Sequence, residues 1–157
     1  MPQDNTQNQK DTYFVAVKVF LMNEKGELLI IKDVYDDGWD IPGGRLRNMD
    51  FDIALEDVVK RKIEEEIGKN VDYKLGEPIV FFRHERDEVL PSGEKSRKRI
   101  FAVGYEAKYL GGEIELVESF KEYKWVDPAT FVPEDYFVGG WLKGVKEYLE
   151  KIKINKK

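Results

Sequence analysis

Cysteine is absent from this chain of 157 residues, and histidine occurs only once, at position 84. The lack of cysteine excludes disulfides, thiolate nucleophiles and cysteine-ligated zinc or iron–sulfur sites, and it is typical of a chain that works in a reducing compartment. Any bound metal ion must therefore use oxygen ligands or the single histidine. A hard cation such as Mg²⁺ suits oxygen ligands.

An excess of positive charge and a long hydrophobic run are also missing. The formal net charge is -5 and the isoelectric point is about 5.1. Domains that bind nucleic acid usually carry a clear basic excess, so nucleic acid is not an expected partner. The most apolar stretch, residues 13–22, is about half the length of a membrane span. We therefore expect a cytoplasmic protein that does not enter a membrane.

The length and composition favour one globular domain. With 41% hydrophobic and 13% aromatic residues, the chain can bury one core but is too short for two ordinary domains. Residues 1–11 are rich in Gln, Asn and Asp and contain no apolar run, so they are predicted to be a disordered N-terminal tail. Residues 12–157 are predicted to form the domain. Its oligomeric state is left open, with a homodimer as one alternative.

Hydrophobic periodicity predicts strands and helices along this domain. Residues 36–44 contain three glycines and one proline and are predicted to form a loop. The resulting order, β-β-loop-α-β-β-β-β-α, predicts an α/β fold in which a mixed β-sheet lies between helices. The predicted strands are 13–22, 27–34, 79–84, 100–107, 113–116 and 123–126, the predicted helices are 52–67 and 141–152, and a long hairpin loop is predicted at 88–96.

Two acidic residues occupy unusual positions in the first helix. On a helical wheel, Glu65 and Glu66 fall within the apolar arc, whereas Asp57, Lys60 and Glu64 fall outside it. Adjacent buried carboxylates are unfavourable unless cations compensate their charge. The alternative is that the pair lies at a frayed helix end and reaches water. The glycine-rich segment before the helix favours a site for Mg²⁺ or Mn²⁺.

These segments together resemble the Nudix box, G-x5-E-x7-R-E-U-x-E-E-x-G-U, in which U is a bulky apolar residue. The resemblance extends from about residue 12 to residue 152 and implies the Nudix α/β/α sandwich. It also implies a Mg²⁺-dependent hydrolase that splits nucleoside diphosphates linked to another group. In that case Glu65, Glu66 and the carbonyl of Gly44 are metal ligands, and Arg61 orients Glu65. The segments are WDIPGG at 39–44 and RKIEEEIG at 61–68, and the matching residues are Gly44, Arg61, Ile63, Glu65, Glu66 and Gly68.

The chain departs from the pattern at two places. Sixteen residues separate Gly44 from Arg61, three more than the pattern has, so the early glutamate has no clear equivalent. Asp50 and Asp52 are the nearest candidates for that glutamate. In addition, Lys62 occupies the position of the glutamate that follows the arginine.

Lys62 leaves three alternatives open. The chain can have a reduced site with fewer metals, as in the GDP-mannose mannosyl hydrolase branch, which the segment GGRLR at 43–47 also resembles. Lys62 can instead turn toward Asp57 or Glu64 as a surface ion pair of little energetic value. Finally, Lys62 can replace the metal, which leaves a catalytically weak nucleotide-binding or sensor domain.

Four residues outside the box are further candidates for the site. His84 lies at a strand end, where we weigh a substrate contact or catalytic role against an ordinary packed histidine. Arg83 and Arg99 belong to the basic patch around residues 83–86 and 95–99, which is either a phosphate-binding surface or a solvated hairpin tip. Glu118 opens a segment, ESFKEYKWV, that resembles the Nudix region supplying the general base. Phe120 stands where the mannosyl hydrolase branch carries a histidine.

The expected ligand is a small-molecule nucleotide. The resemblance favours nucleotide sugars slightly over ADP-ribose, dinucleoside polyphosphates and nucleoside triphosphates. The rival hypothesis of a binding or sensor domain differs from a hydrolase in one respect, namely whether Lys62 excludes the metal.

Overall fold

The computed structural model describes residues 5–34, 38–117 and 119–155. Within these ranges the chain forms a seven-stranded sheet and two α-helices. Their order along the sequence is β-β-β-β-α-β-β-β-α. Short 3-10 turns lie at Asn5–Asn8, Asn48–Asp50 and Pro133–Asp135. The strands are β1 (Phe14–Met22), β2 (Leu28–Asp33), β3 (Trp39–Asp40), β4 (Gly43–Arg45), β5 (Val71–Val89), β6 (Lys95–Gly112) and β7 (Phe120–Val126), and the helices are α1 (Leu55–Ile67) and α2 (Gly139–Asn155).

The sheet is mixed, as the sequence predicted. Its central order is β3-β2-β1-β6-β5, with β4 paired to β1 and β7 paired to β2. The β1–β6 pair is parallel and runs from Phe14 opposite Ile100 to Met22 opposite Lys108, whereas the other pairs are antiparallel. Because β1 is central, its alternate residues point into both layers.

Each face of the sheet is covered by one helix. Helix α1 buries its apolar stripe against one face, and α2 covers the other, where Phe20 stacks on Tyr148 with ring centroids 4.2 Å apart. This arrangement confirms the predicted α/β/α sandwich. The first core contains Val17, Val19 and Leu21 of β1 with Val58, Val59, Ile63 and Ile67 of α1, and the second contains Phe20, Val80, Phe82, Val145, Tyr148 and Leu149.

Several element boundaries differ from the sequence prediction. The predicted strand at 113–116 is wrong, because the N–H groups of Glu115 and Val117 donate to the carbonyls of Ile67 and Glu66 at the end of α1. The predicted loop at 88–96 is reduced to residues 90–94, since β5 and β6 continue as a long two-stranded ribbon. The predicted loop at 36–44 contains β3 and β4, and α1 begins at Leu55 rather than at residue 52.

The N-terminal segment is only partly described. A 3-10 turn lies at Asn5–Asn8, and the Asp11 carboxylate pairs with the Arg99 guanidinium. Residues 1–4 lie outside the described residues, and the division between tail and domain stays a prediction. Across the described part of the chain, neither helix has the length and apolar character needed to cross a membrane.

The close approach of β4 to β1 yields a testable prediction. Gly43 has a φ of +138°, and a Cβ there would lie 2.0 Å from the carbonyl oxygen of Val17. Gly26, in the β1–β2 turn, has a φ of +77° and open space around its Cα. Gly26→Ala should lower the free energy of unfolding by roughly 1–2 kcal/mol through backbone strain alone. Gly43→Ala should lower it clearly further, because strand separation adds to strain.

Urea unfolding of both variants measures the difference. An equal decrease in the free energy of unfolding in both variants would contradict the conclusion that a side chain at Gly43 clashes with the β1 backbone.

Candidate active site

The candidate site lies where the last turn of α1 faces β4. Gly43 N–H donates to Glu66 Oε1 at 2.7 Å. The Lys62 side chain lies along Gly44, and a Cβ at Gly44 would be 3.3 Å from Lys62 Nζ. The two glycines therefore allow a carboxylate and an ammonium to reach the strand backbone. The cavity between them has a volume of about 450 Å³ and is lined by Asp33, Gly43, Gly44, Arg47, Lys62, Glu65, Glu66, Val117, Ser119 and Phe120.

Glu66 is the carboxylate in this cavity that most needs a positive partner. It is half-buried, and its hydrogen-bond partner is the Gly43 backbone. Burial raises the pKa of Glu66 to about 8, and the nearby Asp40 carboxylate adds to this rise while Lys18 opposes it. A cation beside Glu66 would favour the charged carboxylate.

Glu65, by contrast, is already surrounded by cations. Arg47 binds it through both guanidinium nitrogens, with Nη1–Oε1 at 3.1 Å and Nη2–Oε2 at 3.2 Å. Arg61 Nε lies 3.2 Å from Oε1 without hydrogen-bond geometry, and Lys62 Nζ lies 3.8 Å from Oε2. The structure thus places Arg61 beside Glu65. Its predicted role in orienting a metal ligand stays a prediction.

The main partner of Arg61 is Asp50, whose side chain is fully buried. Arg61 donates to Asp50 through Nη1–Oδ1 at 2.5 Å and Nη2–Oδ2 at 2.9 Å, and the Arg47 backbone N–H donates to Oδ2 at 2.7 Å. Of the two candidates for the early acidic residue of the box, Asp50 contacts the box arginine and Asp52 is exposed. The 3-10 turn at Asn48–Asp50, within the longer loop, brings Asp50 to that position.

Lys62 is buried in the cavity wall, with its side chain 7% exposed. Of the three alternatives for Lys62, the surface ion pair with Asp57 or Glu64 is not the one found, because the side chain lies against Gly44 and its ion-pair contact is with Glu65. The glycine leaves room for this path. Burial lowers the pKa of Lys62, and the neighbouring Arg47 charge lowers it further, while Glu65 acts in the opposite direction.

Sequence reasoning missed an ion pair between a buried lysine and a half-buried aspartate beside this cavity. Lys18 of β1 donates to both carboxylate oxygens of Asp40 at 3.0 Å and to the Ile41 carbonyl at 3.3 Å. Its ammonium also lies 4.9 Å from the centroid of the Trp141 ring. A single lysine inside an otherwise apolar strand was the available signal. A cavity of about 180 Å³ on this side of β4 is lined by Ala16, Lys18, Asp33, Asp40, Gly43, Gly44, Arg45, Arg86, Ile100 and Trp141.

The structure places His84, Arg83 and Arg99 around a different cavity of about 540 Å³, beside the start of α2. His84 Nδ1 accepts the Gly140 N–H at 3.1 Å, and its ring stacks on Trp141 with centroids 4.6 Å apart. Burial lowers the pKa of His84, as does the positive charge of Arg86. Arg99 is engaged by Asp11 and Glu85.

The predicted site residues therefore form two groups. Gly44, Glu65 and Glu66 share one cavity with Arg61 behind Glu65, whereas Arg83, His84 and Arg99 do not line it. Glu118 lies outside the described residues. Within the described ranges, no group of three or more acidic, histidine or cysteine side chains is placed to hold a metal ion.

Comparison with known proteins identifies the family and supports the fold. The family model described as the NUDIX domain matches residues 12–141. The nucleoside triphosphatase NudI of Escherichia coli O139:H28 is 24% identical over 120 residues, which cover 73% of this chain and 83% of that protein. The MutT protein from Methanosarcina mazei Go1 superposes with a TM-score of 0.66 at 19% identity, covering 95% of this chain and 99% of that chain.

A complex with a nucleotide ligand also superposes well. The NUDIX domain of Shewanella oneidensis NrtR, cocrystallised with ADP ribose, gives a TM-score of 0.58 at 17% identity and covers 97% of this chain and 99% of that chain. At these identities the two superpositions establish the common fold.

The buried Arg61–Asp50 pair predicts a specific pH dependence of stability. The Arg61 guanidinium holds the pKa of Asp50 well below its usual range. Such a depressed carboxyl contributes stability above the ordinary aspartate pKa of about 4, and this contribution is lost as the pH falls below that value. Asp50→Asn should lower the melting temperature by several degrees at pH 7 and by progressively less in acid.

Thermal melts from neutral to acidic pH measure this convergence, with Asp52→Asn at the exposed neighbouring aspartate as the matched control. A constant difference across the pH range would refute the assignment of the stability to the Asp50 charge.

Proposed function

Because the chain belongs to the NUDIX family of hydrolases, we propose that it cleaves a nucleoside diphosphate derivative in the cavity shared by Glu65, Glu66 and Lys62. The observation that carries this proposal is that the cavity contains a carboxylate and an ammonium, each without a close counterion among the described residues. Glu66 is a carboxylate whose burial calls for a cation, and Lys62 is an ammonium whose burial calls for an anion. A complex of a divalent cation with a diphosphate meets both requirements at once.

The oxygen groups of the cavity fit one divalent cation better than several. Glu66 is the ligand we expect first, and Gly44 lines the same cavity. Glu65 is bound by Arg47 and becomes a ligand only if that guanidinium moves to another anion. When bound, Mg²⁺ or Mn²⁺ would neutralise phosphate charge and polarise the bond to be broken. Of the alternatives for Lys62, this favours the reduced site.

The remainder of the substrate is proposed to extend across β4. The cavity at Glu66 and the smaller cavity at Trp141 share Asp33, Gly43 and Gly44 as lining residues. A diphosphate lying over the two glycines would put one substituent near Trp141 and the other near Phe120. The candidate substrates stay nucleotide sugars, ADP-ribose, dinucleoside polyphosphates and nucleoside triphosphates. NudI, named as a nucleoside triphosphatase, and the ADP-ribose complex of the NrtR domain support a nucleotide ligand.

A second candidate function is nucleotide binding without turnover. It is favoured by the ammonium of Lys62, which occupies the cavity where a box glutamate would stand. A screen for the nucleotide products of hydrolysis over the four substrate classes, with and without Mg²⁺ or Mn²⁺, separates the two functions. Turnover that requires the metal supports the hydrolase, whereas saturable binding without turnover of any substrate supports the binding domain.

The metal ligands yield a prediction about turnover. Glu66→Gln and Glu65→Gln should each reduce turnover by at least about a hundredfold while the variants melt like the parent protein, because the loss concerns metal charge compensation and not packing. Glu64→Gln is the matched control, since Glu64 is exposed on the same helix turn. Steady-state rates and Mn²⁺ titrations measure the effect. Turnover near the parent rate in both variants would disprove the metal assignment.

Glu118 remains the proposed general base. Its sequence neighbours Val117 and Ser119 both line the cavity. Glu118→Gln should lower the maximal rate and flatten the acidic limb of the pH–rate profile, because an amide cannot accept the proton of the attacking water. An unchanged profile would move the search to Glu122 and His84, and the variant His84→Asn decides between those two. Contacts of Arg83 and Arg99 with substrate, a homodimer and a cytoplasmic location also remain predictions.

A further inference from the structure

The Lys62 ammonium has no close partner among the described residues. Its side chain is 93% buried, yet its ammonium makes no hydrogen bond to any described residue, and the ion-pair contact with Glu65 is 3.8 Å long. The side chain lies along Gly44 and lines the cavity. The ammonium faces the cavity without a hydrogen-bond acceptor among the described residues, and an anion bound in the cavity would supply one.

Lys62 is the most weakly paired of the three cations around Glu65. Arg61 is matched by the buried Asp50, and Arg47 is matched by Glu65. Lys62 shares Glu65 with these two arginines and receives the longest of its contacts. Arg47 and Lys62 line the same cavity and can together attract a phosphate group there.

Arg47 is suited to exchange its partner. Its side chain is 53% exposed and forms a planar two-point contact with the Glu65 carboxylate. A phosphate offers the same two-point geometry to a guanidinium and carries more charge. If the phosphate takes Arg47, Glu65 loses its two-point contact and keeps Arg61 Nε beside Oε1, so that Oε2 is the oxygen offered to a cation.

From this geometry we propose that Lys62 and Arg47 form a phosphate site that binds the diphosphate of a nucleotide in the absence of a divalent cation. The proposal rests on the proposed function only for the identity of the ligand. The nucleotide binds first, Arg47 passes from Glu65 to the phosphate, and the cation enters afterwards at Glu66 and Glu65. By linkage, the nucleotide must then raise the affinity for the cation, and the cation must raise the affinity for the nucleotide by the same factor.

Calorimetric titration of ADP and of inorganic pyrophosphate into the full chain in EDTA tests the first step. The parent protein should bind both. Lys62→Met should weaken binding by roughly tenfold or more, as expected for the loss of one charge-assisted contact. Lys60→Met is the matched control, because Lys60 is exposed on the same helix, and it should bind like the parent. Gly44→Ala is a second variant, since its methyl group would crowd Lys62 Nζ, and it should also weaken binding.

Thermal melts of every variant accompany the titrations, so that loss of fold is not mistaken for loss of the site. Parent protein that binds ADP only in the presence of Mg²⁺ overturns the proposal. Equal ADP affinity of folded Lys62→Met and parent protein also overturns it.

Mn²⁺ binding, followed by the electron paramagnetic resonance signal of the free ion, tests the order of events. The parent should bind Mn²⁺ weakly alone and more tightly with ADP present, whereas Lys62→Glu should bind Mn²⁺ without nucleotide. Parent protein that binds Mn²⁺ equally well with and without ADP contradicts the exchange of Arg47.

Failure of this proposal is distinguishable from failure of the proposed function. Metal-dependent turnover without ADP binding in EDTA refutes the phosphate site and leaves the hydrolase intact. Binding of ADP in EDTA without turnover on any substrate leaves the phosphate site intact and refutes the hydrolase.

Discussion

The close contact between α1 and β4 is the constraint on which the site depends. Gly43 and Gly44 carry no side chain, and this lets the Glu66 carboxylate and the Lys62 side chain reach the strand. The strand is in turn held against β1, where Gly43 lies opposite Lys18. Any side chain at Gly43 would meet the β1 backbone. The same backbone contacts therefore fix both the edge of the sheet and the position of the charged groups.

Charge balance is the second organising principle of this region. Three cations, Arg47, Arg61 and Lys62, lie near Glu65, and a fourth, Lys18, lies near Asp40 and influences Glu66. Pairs of this kind stabilise a fold when both partners are hydrogen-bonded, as in the Arg61–Asp50 pair. Lys62 and Glu66 are exceptions, because neither has an opposite charge within hydrogen-bonding distance among the described residues. Such incomplete pairing is typical of functional sites.

Local sequence patterns predicted the elements that have a clear period. Strand β1, strand β2 and helix α1 follow from alternation and from the spacing of apolar residues in α1, and the acidic pair was found because it interrupts that spacing. The short strands β3 and β4 were missed because glycine and proline dominate their segment, and such composition normally indicates a loop. The segment at 113–116 alternates like a strand, but its backbone bonds to a helix end.

The ion pairs of the site could not be predicted in the same way. Lys18 and Asp40 are 22 residues apart, and Arg47 and Glu65 are 18 residues apart. No local period relates residues at such separations, so their contact follows only from the packing of the strands and helix. The choice of Asp50 over Asp52 likewise depends on a 3-10 turn in the enlarged loop.

The position of the acidic pair within α1 has one more consequence. Glu65 and Glu66 belong to the last turn of the helix, which ends at Ile67 and contains no basic residue. Aligned peptide dipoles give that end about half a negative elementary charge, so the backbone itself repels carboxylates there and attracts positive ions. The main chain at this corner therefore adds to the attraction that the Glu65 and Glu66 carboxylates exert on positive ions. Substitution of Glu65 or Glu66 would remove the charge of a side chain, but the negative end of the helix dipole would remain at this position.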